Sequence, residues 1–74
     1  MAYDYALLNG KISEVCGTQS AFSNAMGLSE RSVSLKLNNK VDWRQEEILK
    51  AISVLGINES DIQAYFFTTK VQTD

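Results

Sequence analysis

Apolar residues recur along this chain at helical intervals, and glycine-bearing turns interrupt them. Leu8, Ile12, Val15 and Cys16 fall at i, i+4, i+7 and i+8, one face of a helix predicted over 5–16. Asp4 stands where a cap belongs, and Gly17 where a left-handed residue ends a helix. A second helix, 19–26, follows Thr18 as its cap, turns Phe22, Ala25 and Met26 inward and stops at Gly27. Leu28 is an apolar plug. Ser29 caps a third helix, 30–38, anchored by Val33 and Leu37 at i and i+4. Asn38, Asn39 and Lys40 break the pattern. Asp42 and Gln45 have the spacing of a capping box for a fourth helix, 43–55. Its inner face is Ile48, Ala51, Ile52 and Leu55, with Trp43 as a core brace, and Gly56 ends it. Asn58 caps a fifth helix, 59–66, with Ile62, Tyr65 and Phe66 on one face. Residues 67–71 are β-prone and read as a short strand or a frayed tail. The expectation is all-α: five short helices in a single domain, 1–74.

Composition narrows the picture. A chain of 74 residues, 45% hydrophobic, makes one small core. Cys16 is the sole cysteine and there is no histidine, so neither an intrachain disulfide nor a zinc site is expected, and no metal or cofactor. No apolar run approaches the roughly 20 residues of a membrane span. The opening MAYDYALL carries neither a basic leader nor a signal-type apolar stretch. Both point to a cytoplasmic protein without a membrane partner. Net charge is −2, which argues against a generic nucleic-acid binder. The charge is uneven, however. Arg31, Lys36, Lys40 and Arg44 cluster mid-chain, between flanks carrying Asp4, Glu14, Glu46, Glu47, Glu59 and Asp61. A basic strip on an acidic body can still hold phosphates, because the local field decides docking.

Helices two and three have the spacing of a helix–turn–helix, from Gln19 through Gly27 and Leu28 to Val33. Such a pair lets its second helix enter a major groove about 12 Å wide. The stretch TQSAFSNAMGLSERSVSLKLNNK resembles the DNA-binding domain of phage repressors and Cro proteins, the lambda-repressor-like fold. KLNNKVDWRQEEILKAISVLGI is similar to the segment that follows in small phage-encoded regulators. The resemblance spans about residues 4–66. It departs at Ser23, where the family often has alanine, and at Lys36, where many members are apolar.

The resemblance implies a transcriptional regulator of phage or prophage type, Cro-like or a small repressor, reading an operator with helix 30–38. Base-reading would fall to Ser29, Glu30, Arg31, Ser34 and Leu35. Phosphate contacts would come from Thr18, Gln19 and Ser20 at a helix N-terminus, and from Asn38, Asn39, Lys40 and Arg44. Each has a plainer reading: Ser29 is first a cap, Glu30 suits the helix dipole, Arg31, Lys36 and Lys40 are solvated charges, and Leu35 is half-buried core. One recognition helix gives little specificity, so a homodimer through Tyr65, Phe66, Phe67 and Val71 is expected. Three adjacent aromatics cannot all face inward on one short helix.

A rival reading uses the same fold as an antirepressor or another protein-interaction module that grips a repressor. The acidic balance, pI about 4.9, favours it. An enzyme is not expected, and no catalytic residue is assigned. There is no histidine, no glycine-rich phosphate loop, and Glu46 and Glu47 diverge by about 100° on a helix.

Overall fold

The computed structural model describes residues 2–70. It is all-helical. Helix α1 is Ala6–Cys16, α2 Gln19–Met26, α3 Glu30–Leu37 and α4 Gln45–Leu55; a 3-10 turn, Glu59–Asp61, runs into α5, Ile62–Phe66. Among the described residues there is no strand, only one isolated antiparallel bridge between Tyr3 and Thr69.

The caps are local and mostly where the sequence puts them. The Asp4 carboxylate accepts from the Ala6 N–H at 2.9 Å. Thr18 Oγ1 accepts from the Ala21 N–H at 3.0 Å and Ser29 Oγ from the Ser32 N–H at 3.1 Å. Gly27, at φ +70°, closes α2 in a left-handed conformation, and the Leu28 N–H returns to the Ser23 carbonyl at 3.0 Å. Asn58 Oδ1 accepts from the Ser60 N–H at 3.1 Å.

The start of α4 departs from expectation. The helix begins at Gln45, not at residue 43, and Asp42 with Gln45 forms no box. Instead Glu47 Oε1 accepts from the Arg44 N–H at 2.8 Å. The cause is Trp43, whose ring is drawn inward edge-on to Phe66 (centroids 5.5 Å apart) and Phe22 (6.5 Å). That placement keeps the backbone before Gln45 out of the helix.

The core is Tyr5, Leu8, Ile12, Phe22, Met26, Val33, Ile48, Ala51, Ile52, Leu55, Ile57 and Phe66. The expected stripes supply most of it. Val15 shares the face of Leu8 and Ile12 but is 46% exposed, whereas the adjacent Cys16 packs partly buried against the core. Ala25 is also exposed. Phe66 is corrected from interface to core: it is 1% exposed and braces Trp43, so it offers nothing to a second copy. Tyr65 is half-buried against the core. Phe67 is the aromatic left outside, 45% exposed. Val71 lies outside the described residues.

Residues 67–70 make neither a strand nor a loose end. The Asp4 N–H donates to the Thr68 carbonyl at 2.7 Å, and the Lys70 N–H to the Ala2 carbonyl at 3.1 Å. On the other edge of Tyr3, the Asn39 side chain stands in for a neighbouring strand. Its Oδ1 accepts from the Tyr3 N–H at 2.8 Å and its Nδ2 donates to the Tyr3 carbonyl at 2.9 Å. Asn39 is also the one described non-glycine residue with positive φ, +61°, a conformation that asparagine tolerates better than most side chains. Asn39→Gly should therefore lose only the clasp, about 1 kcal/mol. Asn39→Ala should lose the clasp and add backbone strain of about 1–2 kcal/mol. Urea denaturation checks the order; an alanine variant as stable as the glycine one would contradict it.

Candidate functional site

The residues expected to read DNA are only partly gathered on one surface. Glu30 and Arg31 are exposed on the first turn of α3, while Ser34 and Leu35 are half-buried. Ser29 is occupied as the α3 cap. Thr18, Gln19 and Ser20 lie exposed at the start of α2, with Thr18 engaged as its cap and the Gln19 carbonyl accepting from Ser23 Oγ at 2.9 Å. Asn38 folds back, its Nδ2 donating to the Ser34 carbonyl at 2.7 Å. Asn39 is spent on Tyr3. Lys40 and Arg44 are exposed.

The basic strip breaks at its centre. Lys36 falls in the apolar phase of α3, between Val33 and Leu37, and is only 5% exposed. Its Nζ lies 3.0 Å from Glu47 Oε1, donates to the Asp42 carbonyl at 3.2 Å, and sits 5.9 Å from the centre of the Trp43 ring. This charge is neutralised inside the fold and has no reach to a phosphate.

Burial opposes ionisation of Glu47. The hydrogen bonds from the Arg44 backbone and the Lys36 ammonium, with the charges of Lys36 and Arg44, outweigh it and hold the carboxyl below its ordinary pKa. At Tyr5, burial first, then Tyr3 and Asp42, push the phenol above its ordinary value.

A different surface has the features of a binding site. Trp43, Gln45, Ile48, Leu49, Ile62 and Phe67 line an open, mainly apolar recess between α4 and α5. Leu49 is 48% exposed, close to the exposure of Phe67. Phe67 meets Tyr3 edge-on at 5.9 Å, and Tyr3 meets Tyr5 at 6.2 Å. A second recess, lined by Tyr3, Tyr5, Asp42, Trp43, Ile48, Phe66 and Phe67, shares Trp43, Ile48 and Phe67 with the first. Clustered exposed apolar groups of this kind mark protein-interaction surfaces. Acidic side chains border the cluster: Asp42 lines the second recess, and Glu46 stands one turn before Leu49. Sequence reasoning reached Phe67 but missed Leu49 and Tyr3. Leu49 had left a signal, since it is apolar yet out of phase with the 48, 51, 52, 55 stripe.

Among the described residues no group of histidine, cysteine, aspartate or glutamate is placed to hold a metal ion. No described helix is long and apolar enough to cross a membrane.

Comparison with known proteins identifies the relatives. A family described as "Protein of unknown function (DUF739)" matches residues 1–69. No match was found among curated proteins. Among solved structures, the chain is similar to the solution structure of the modulator of repression (MOR) of the temperate bacteriophage TP901-1 from Lactococcus lactis. The two share 62% identity over 97% of each chain, with a TM-score of 0.81. These findings correct the Cro- and repressor-type resemblance, since the family and the structure that match are different ones. They also overturn the main functional expectation, a DNA-binding regulator reading the major groove with helix 30–38. A match this extensive to a modulator of repression favours the rival reading.

The Glu47 pairing carries a pH signature. A carboxyl whose pKa is lowered by folding adds stability above the ordinary glutamate range and loses it as pH falls through the lowered value. At pH ~7, Glu47→Gln should cost about 1.5–3 kcal/mol, the worth of a hydrogen bond to a charged group. The difference between the proteins should shrink below pH ~4. Denaturant titrations at several pH values check this; a pH-independent difference would contradict it.

Proposed function

The chain belongs to the DUF739 family, and from that premise we propose that it is a phage-type regulator of transcription that works by gripping a repressor protein. It sits in the cytoplasm beside its target and performs no chemistry. The observation that carries the reading is an exposed apolar cluster, Leu49 and Phe67 over Trp43 and Ile62, on a chain 62% identical to a modulator of repression.

The physics of the cluster supports protein over nucleic acid as partner. Large side chains that bury in a complex become its anchors, and a few of them carry most of the affinity. Leu49 and Phe67 are half-exposed, so much of their apolar surface remains to be removed from water, at roughly 25 cal/mol per Å². The bordering Asp42 and Glu46 repel phosphates but complement a basic surface. A repressor carries such a surface in order to hold DNA. Antirepression then follows by mass action, because a repressor molecule held by this chain leaves the pool that occupies the operator.

The test is calorimetric titration of the chain with the repressor from the same genome. The wild type should bind. Leu49→Glu and Phe67→Asp should each weaken binding about ten-fold or more, equivalent to about 1.4 kcal/mol. Arg31→Ala, outside the recess, should stay within about two-fold of wild type, the small effect usual for a residue away from the anchors. No binding by the wild type, or a large loss confined to Arg31→Ala, would contradict the proposal.

A further inference from the structure

Aromatic residues aside, two polar side chains among the described residues are buried, Ser23 and Lys36. Ser23 is explained by its hydrogen bond to the preceding helical turn. Lys36 is different, because an ammonium taken out of water needs a counter-charge and acceptors. All three of its contacts lie between residues 42 and 47: the Asp42 carbonyl, the Trp43 ring and the Glu47 carboxylate. The Glu47 oxygen that pairs with Lys36 also accepts from the Arg44 N–H. One carboxylate oxygen thus fixes both the end of the lysine and the first turn of α4.

Trp43 lies at the centre of this arrangement, and its indole Nε1 is buried with no hydrogen-bond partner. A buried indole N–H usually finds one, and leaving it unmade costs free energy. The ring is therefore not placed by its own polar group. Phe22 and Phe66 hold it edge-on, and Lys36 stands over it within cation–π range. The same ring lines both recesses.

We infer that the buried Lys36–Glu47 pair is a positioning device for partner binding, holding Trp43 where its ring forms the wall shared by the two recesses. The inference rests on the protein-gripping function proposed above. Without the pair, the indole gains by turning its N–H to water, and the wall that Leu49 and Phe67 flank is lost. Lys36 and Glu47 touch no partner themselves; they act through Trp43.

The chain has one tryptophan, so its fluorescence, excited at wavelengths that tyrosine does not absorb, reports on this ring alone. Emission maximum, acrylamide quenching and far-UV circular dichroism are measured on free wild type, Lys36→Met, Lys36→Arg and Glu47→Gln, followed by titration with the repressor. In Lys36→Met and Glu47→Gln, emission should shift to the red and quenching should rise while helix content is kept. Repressor binding should weaken about ten-fold in Lys36→Met and less in Glu47→Gln, which keeps an acceptor. Lys36→Arg keeps the charge and the ring contact and should behave as wild type in every readout. Unchanged emission in a folded Lys36→Met would overturn the inference, and so would a shift with undiminished affinity. If Lys36→Met does not fold, Glu47→Gln decides on the same criteria. Should the wild type fail to bind the repressor, the proposed function and the role in partner binding fall together, while emission from the free variants still decides whether the pair positions Trp43.

Discussion

An ammonium excluded from water must find its counter-charge within the fold, and at Lys36 that requirement organises the middle of this protein. The lysine enters the core because α3 puts it in phase with Val33 and Leu37. Its partner, Glu47, comes from the next helix. The pair ties the end of α3 to the first turn of α4. It also closes around Trp43, which joins Phe22 of α2 to Phe66 of α5. Four helices and the loop before α4 are thus tied through one charge and one ring.

The same tie has consequences outside the core. With Lys36 neutralised internally, the mid-chain cations no longer form a continuous strip, and an overall charge of −2 leaves little long-range attraction for DNA. With Phe66 committed to Trp43, Phe67 is turned outward beside Leu49. The surface that results is apolar with an acidic border. The Asn39 clasp and the Thr68 and Lys70 contacts hold Tyr3 against this surface, extending it with an aromatic ring.

Much of the fold was legible in the sequence because its determinants are local. Thr18, Ser29 and Asn58 cap the elements that follow them, and Gly17, Gly27 and Gly56 end the helices before them. The stripes of α2 to α4 are nearly those observed. What sequence reasoning missed depends on distant partners. Burial of Lys36 hinges on a carboxylate eleven residues on, and the choice among Tyr65, Phe66 and Phe67 hinges on where Trp43 settles. The proposed partner class was not legible in the same way, since a fold does not itself fix what its surface binds. The clue lay in side chains that break the rules of their helices: a lysine in the apolar phase of α3 and a leucine off the stripe of α4.

In the proposed function, the recess of Leu49, Phe67 and Trp43 is where a repressor is held. Backbone and indole NMR shifts of the labelled chain, followed as unlabelled repressor is added, test it most directly. The largest changes are expected at Leu49, Ile62, Phe67 and the Trp43 indole, with Glu30 and Arg31 scarcely affected. Changes centred on Ser29 to Leu35 with the Trp43 indole unmoved would contradict it.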